Sequence, residues 1–350
     1  MRPFLFGIFI IFAYCIKQSR PMKYISRLLI YSLLTTILLL SCNSEKNKHR
    51  DGDIVFLRYE QVIFDSAEKE LPQRLAEFKN QFKSPLLNIF PDDQMFMEQL
   101  RGFIADGTVR DIYNITENRY HNLYWLEKEI SDALNKAHRL DKEIDFTQFS
   151  TFVSGFFDYS QRIIADRDSK SLLVSIDQYA LGDMEKYSYF GLPMFIVERC
   201  DSAFLASDIM AEIARQYIAS PSEENLTMLD LMISEGKVLY FLDLVMPDKS
   251  DNLKIRYNDD QMQWVKNNES NIWTYFIHNN LLYEKDFARY HNFVDEAPKT
   301  NAFKDSAPRT TEYIGWQIVR KYMENSNSSL KELFDNTNSQ AILQASKYKP

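Results

Sequence analysis

The sequence predicts an α+β fold, predominantly helical with a small sheet. Three observations carry this. Only 9 glycines and 11 prolines punctuate 350 residues, too few for a turn-rich β-sandwich. Apolar residues recur at steps of three and four through most of the chain. Short β-rich runs are confined to its middle.

In chain order, Ile54-Val55-Phe56-Leu57-Arg58-Tyr59 alternates and reads as a strand or an extended lead-in. Helical spacing follows near 68–82 and 92–105. A long helix is then predicted from Glu117 to about Arg139, where Leu123, Leu126, Ile130, Leu134 and Ala137 share one face and Thr116 stands as its N-cap. Glu127, Lys128 and Glu129 on that helix read as a solvated face. Phe149-Ser150-Thr151-Phe152-Val153 and Leu172-Leu173-Val174-Ser175-Ile176 predict two or three strands, with a turn at Leu181-Gly182-Asp183. Helices return over about 207–219, 223–246 (closed by Pro247), 259–283 and 311–324. Two short ones end the chain, the first opened by the capping box Ser329-Leu330-Lys331-Glu332. No repeat period and no long linker interrupts this series, so residues 54–350 are predicted to form one domain.

The N-terminus predicts where the protein resides. Lys23 and Arg27 form a positive region and Leu28 to Leu40 an apolar one, and Ser41 precedes Cys42, the pattern of a lipoprotein export signal with lipid attached at Cys42. A plain membrane anchor is the alternative, but this run is shorter than the ~20 residues a spanning helix needs. Met22-Lys23 is itself a normal precursor start, so residues 1–21 read as a start-site artefact. A two-helix membrane hairpin including the earlier apolar run Phe4 to Ile16 is disfavoured because both runs are short. Residues 1–41 are thus expected to be removed, and residues 42–53 to form a polar tether.

Removal of 1–41 takes away Arg2, Lys17, Arg20, Lys23 and Arg27 and no acidic residue, so a net charge of −8 becomes −13. Such acidity argues against nucleic acid and against electrostatic docking on anionic lipid, leaving the lipid at Cys42 as the membrane attachment. Cys15 and Cys42 belong to the signal region. Cys200 is alone in the folded body, excludes an intrachain disulfide there, and reads as a buried thiol rather than a nucleophile.

Standard catalytic signatures are absent. His49, His121, His138, His278 and His291 are scattered and form no His-Glu-x-x-His pair; no nucleophile elbow, phosphate loop or dinucleotide fingerprint occurs. No metal or other cofactor is therefore expected. One constellation is more specific. Ser234-Glu235-Gly236-Lys237-Val238-Leu239-Tyr240-Phe241 is followed by Met246-Pro247, Trp264, Ile272-Trp273, Tyr275-Phe276, Leu281-Leu282-Tyr283 and Ala297-Pro298. Ile314-Gly315-Trp316-Gln317-Ile318-Val319-Arg320 closes the series. With Ile176-Asp177 to Leu181-Gly182, this resembles the gliding-motility lipoproteins of the GldB type from Bacteroidetes, over roughly residues 54–325. The resemblance implies an envelope lipoprotein associated with motility proteins, in a family without an established biochemical activity, and fold and role remain separate claims.

A sharper expectation concerns residues 211–235. In gluzincin-type metalloproteases, two His and a Glu on one helix are followed about twenty residues later by a Glu that completes the zinc site. Ala211-Glu212-Ile213-Ala214-Arg215 stands where the first motif would be and Glu235 where the second would. The frame resembles a degenerate zincin-like protease whose ligands are gone: Ala211 cannot bind zinc and Arg215 stays protonated. Arg215 or Lys237 would then neutralise Glu235. The bland alternative is an ordinary helix surface.

Ser66, Ser202 and Ser306 each follow Asp and precede Ala, the pattern of periplasmic O-glycosylation in Bacteroidetes, although Asp-Ser also begins helices and turns. Trp264, Trp273, Tyr275, Phe276, Trp316 and Tyr322 read as core more than as a ligand groove. The expected function is a non-catalytic envelope lipoprotein, facing the periplasm because Asn43-Ser44-Glu45-Lys46 carries no dense acidic run, that acts by binding envelope or motility proteins. The alternatives are a peptide or cell-wall hydrolase using Glu212 and Glu235, and a glycan- or lipid-binding protein resting on the aromatics.

Overall fold

The computed structural model describes residues 54–155, 162–180, 191–221 and 225–350. The export signal, Cys42 and the tether lie outside the described residues, as does the turn expected at Leu181–Asp183. No helix among the described residues is long and apolar enough to cross a membrane.

The chain is mostly helical with one four-stranded sheet, as the composition predicts. Strands β1 (Phe56–Arg58), β2 (Gln148–Phe152), β3 (Ile163–Asp166) and β4 (Ser171–Ser175) lie in the order β1-β2-β4-β3. β1 runs parallel to β2 and β2 to β4, while β3 is antiparallel to β4 on the far edge. Parallel pairing of β1 with β2 requires a long crossover. That crossover carries α1 (Tyr59–Asp65), α2 (Leu71–Gln81), α3 (Gln94–Ala105), α4 (Gly107–Arg119) and α5 (Tyr124–Leu140). β4, an unbroken apolar run flanked by serines, is buried along its whole length, and β3 is half-buried, as befits an edge.

The helix expected from 117 to 139 is in fact two. Thr116 does not cap a helix: its hydroxyl donates to the Ile112 carbonyl inside α4 (2.8 Å), and the chain turns between Tyr120 and Leu123. The break arises because Tyr120 is drawn into the core, where its hydroxyl donates to the Tyr179 carbonyl (2.5 Å). Glu127 likewise leaves the solvated face assigned to it. It is buried and accepts from the Phe56 N–H (3.0 Å) at the start of β1.

After β4, a 3-10 turn (Ile176–Tyr179) leads toward α6 (Met194–Val197) and α7 (Ser202–Arg215), which Asp201 caps by accepting from the Ala203 N–H. The central α8 (Met228–Val245) opens with a capping box between Thr227 and Asp230. Then come α9 (Asp251–Ile255), α10 (Asp259–His278), α11 (Phe287–Val294), α12 (Thr310–Asn325), α13 (Leu330–Asp335) and α14 (Ser339–Ser346). α10 ends before the expected residue 283. The chain turns through Asn280 at positive φ, and the Leu282 and Glu284 carbonyls accept the N–H groups of Leu229 and Met228 at the start of α8.

α8 is the axis of the helical layer and packs on α5, α7, α12 and α14. Its closest approach is to α12, where two glycines meet. A Cβ on Gly236 would lie 2.5 Å from the Gly315 carbonyl carbon, and one on Gly315 would lie 2.5 Å from that of Met232. The Glu-Gly-Lys and Ile-Gly-Trp segments are therefore the two halves of one helix crossing. The aromatics near them are core: Trp316 and Phe276 are fully buried, while Trp264, Trp273 and Tyr275 pack on Phe303, Tyr348 and Phe293.

Candidate functional site

α7 presents Asp208, Glu212 and Arg215 at steps of four and three, so all three lie on one face. Opposite them stand Arg162 and Ile163 at the start of β3, Tyr179 at the end of the 3-10 turn, and Ile196 and Arg199 on the approach to α7. Together with Arg256 and Glu296 these groups enclose a cavity of about 360 Å³.

Charge dominates the walls. Arg215 reaches across to α8 and donates to both Glu235 oxygens (2.8 and 3.3 Å), while its other nitrogen lies 3.5 Å from Glu212. Arg199 pairs with Glu296 (2.6 Å), and Arg309 pairs with Glu312 and lies 3.6 Å from Glu296. Arg256 stands 3.8 Å from both Asp208 and Glu312, and the Tyr179 hydroxyl donates to Asp208 (2.8 Å). Arg256 and Arg309 both adopt the left-handed backbone conformation, at φ of 61° and 46°. That conformation costs a side-chain-bearing residue about 1–2 kcal/mol and persists where the surroundings over-determine it. Here the Arg309 guanidinium ties the two residues together by donating to the Ile255 carbonyl (2.9 Å).

The electrostatics follow from burial and pairing. Burial pushes the Glu235 carboxyl up, but Arg215, with help from Arg256 and Arg309, outweighs it and holds the group below its ordinary range. Glu212 goes the other way: burial raises it and Arg215 only partly offsets the rise. Glu312 is likewise raised by burial against the pull of Arg309 and Arg256. Arg215 is held firmly protonated, chiefly by Glu235.

Of the residues singled out from sequence, Ala211, Glu212, Arg215 and Glu235 come together at the facing surfaces of α7 and α8, with Ala211 buried beside the pair. Lys237 does not join them. Two residues on from Glu235 it has turned about 200° around α8. It is buried and donates to the Asn336 carbonyl (2.7 Å) at the end of α13, so Arg215 and not Lys237 is the hydrogen-bond partner of Glu235. Burial pushes the Lys237 amine down to about 8. Cys200 is buried, with its thiol directed at the Ile196 carbonyl and pushed up by burial, far from the form of a nucleophile.

The three serines differ. The Ser306 hydroxyl is buried and donates to the Thr300 carbonyl (2.7 Å). Ser66 is half-buried and donates to the Val62 carbonyl (2.6 Å), and half-buried Ser202 accepts from Arg119 (3.0 Å).

Sequence reasoning did not find Arg162, Tyr179, Arg199, Asp208, Arg256, Glu296, Arg309 or Glu312. Only Asp208 left a signal, the i, i+4, i+7 stripe it makes with Glu212 and Arg215. The rest lie outside α7 and α8, up to 100 residues from Glu212, where local pattern carries no information. Among the described residues, no group of three His, Cys, Asp or Glu is placed to hold a metal ion.

A family model described as gliding motility protein GldB matches residues 42–350, a match that begins at Cys42 itself. No curated protein and no solved structure matches the chain. The chain belongs to the GldB family of gliding motility lipoproteins.

Proposed function

We propose that this GldB-family lipoprotein is held in the cell envelope by lipid at Cys42, faces the periplasm, and supports the gliding apparatus or a related envelope machine by binding its proteins rather than by catalysis. The observation that carries the non-catalytic part is the Arg215 guanidinium, 2.8 Å from Glu235 and 3.5 Å from Glu212. A hydrolase built on these carboxylates needs one of them free to move a proton, and a metal-assisted one needs a cation site between them. A permanently protonated arginine occupies that space, neutralises Glu235 and repels a divalent ion. This supports reading α7 and α8 as a degenerate zincin-like frame kept for its architecture. Ser66 and Ser202 are the candidates for O-glycosylation, since a glycan on Ser306 would have to displace a buried hydrogen bond.

The test is replacement of the chromosomal gene by one encoding Glu212→Gln, scored against the phenotype of deleting the gene. Full function with normal protein levels is expected, because the amide preserves shape, and Glu235 remains to pair Arg215 when the Glu212 charge and its proton transfer are removed. Loss of function at a normal level of folded protein would instead assign Glu212 a chemical role and favour the hydrolase. Cross-linking in intact cells, followed by capture of the lipidated chain, should recover a small, defined set of envelope proteins.

A further inference from the structure

The cavity above α7 holds a feature that neither the motility role nor the Arg215–Glu235 pair uses. The Arg199 side chain is only 7% exposed, yet its Nη1 has no hydrogen-bond partner, since Glu296 engages Nε alone. A buried guanidinium nitrogen left without an acceptor is costly. Beside it stands Arg162, whose Nη1 donates to the Arg199 carbonyl (2.8 Å) and whose guanidinium lies 5.8 Å from the Tyr179 ring centre. Among the described residues no carboxylate pairs with Arg162. Two cations therefore share one wall and between them engage a single carboxylate.

Around the cavity five guanidiniums (Arg162, Arg199, Arg215, Arg256, Arg309) face five carboxyls (Asp208, Glu212, Glu235, Glu296, Glu312), but the carboxyls are spread unevenly: Arg215, Arg256 and Arg309 lie against Glu235, Asp208 and Glu312, and the Arg162–Arg199 wall is left with Glu296 alone.

We infer that this cavity binds the carboxylate of a small acyl amino acid or of a peptide's C-terminal residue, held by the Arg162 and Arg199 guanidiniums, with an apolar side chain resting on Ile163, Ile196 and Tyr179. A planar carboxylate suits the guanidinium fork, and its single charge suits a wall of two cations that already engage one carboxylate better than a phosphate dianion would. A volume of about 360 Å³ lies at the small end of the ~300–1,000 Å³ typical of ligand pockets, enough for one residue but not a long segment. This goes beyond the motility role, which stands whether or not the site binds an acid.

The full-length lipidated chain in detergent would be titrated calorimetrically with N-acetyl-leucine, its uncharged amide, inorganic phosphate, and a hexapeptide ending in free leucine. N-acetyl-leucine is expected to bind and the amide not. A tighter hexapeptide identifies a chain terminus as the natural source, and an equal or weaker one a free acid. Arg162→Gln removes a cation that no carboxylate among the described residues pairs with, so it should lower the melting temperature only by the loss of the hydrogen bond to the Arg199 carbonyl and weaken binding about tenfold or more. Glu212→Gln, which reduces the negative lining, should tighten it. Equal binding of acid and amide, phosphate binding more tightly than either, no binding of acid up to ~10 mM, or an Arg162→Gln variant that binds as well as the original would each overturn the inference.

Discussion

Replacing Gly315 with alanine tests the central packing claim, that α8 and α12 touch through backbone rather than side chains. The new Cβ would lie 2.5 Å from the Met232 carbonyl carbon and closer still to its oxygen. Carbon atoms in contact prefer ~3.5–4.0 Å, so the helices must part by roughly 1 Å, and gaps of that size forfeit a quarter to a half of the attraction at each contact. The contacts at stake surround Met232, Ile233, Trp316, Ile318 and Val319, all essentially fully buried. Overpacking a core typically costs about 1–3 kcal/mol, occasionally more, and alanine recovers ~1 kcal/mol through its better helix propensity. Because the clash here is with backbone, which cannot rotate away, the net loss should fall near 2–3 kcal/mol, roughly 4–10 °C in melting temperature for a domain of this size. Gly102→Ala is the internal control: it lies mid-helix in exposed α3 with nothing within 4 Å of the new carbon. That variant should gain about 0.5–1 kcal/mol. Urea unfolding of both variants against the original chain gives the answer. If Gly315→Ala is as stable as Gly102→Ala, the backbone contact between α8 and α12 is not as described.

Three further outcomes are expected. Lys237 titrates near 8 in the folded chain against an ordinary 10.5, so between those values the unfolded chain binds more protons and stability rises with pH. Lys237→Met should flatten that rise, by at most about 3 kcal/mol across the window, and identical pH–stability slopes in the two chains would remove the claim. Arg215→Met should destabilise by about 1–2 kcal/mol, a part-exposed pair being worth less than a fully buried one; adding Glu235→Gln should recover part of that loss, and strict additivity in this double-mutant cycle would show that the two groups do not interact. Thr227→Ala should cost about 1 kcal/mol in thermal unfolding by removing the hydroxyl that accepts from the Asp230 N–H, while no loss would mean that the capping box contributes nothing.

Sequence alone determined what local chemistry determines. The steps of three and four placed most helices within a few residues, the capping box at Ser329 and Glu332 marked α13 to the residue, and the apolar run at Leu172–Ile176 located the central strand. Each signal sits within one or two turns of chain, where periodicity and capping act. The same locality explains the failures. Thr116 has the composition of an N-cap, yet α4 continues through it because Tyr120 finds Tyr179 some 59 residues on. Lys237 is as close in sequence to Glu235 as a neighbour can usefully be, yet helical geometry turns it to the opposite side.

Only the tertiary structure decided that the motif glycines Gly236 and Gly315 meet, that Arg215 closes on Glu235, and that arginines from the start of β3, the α6–α7 connection and the end of α9 converge on one cavity. A charged side chain carries no period and no preferred register of its own. Its partner is whichever opposite charge the packing of the apolar faces brings within about 4 Å, and that is settled by the core as a whole.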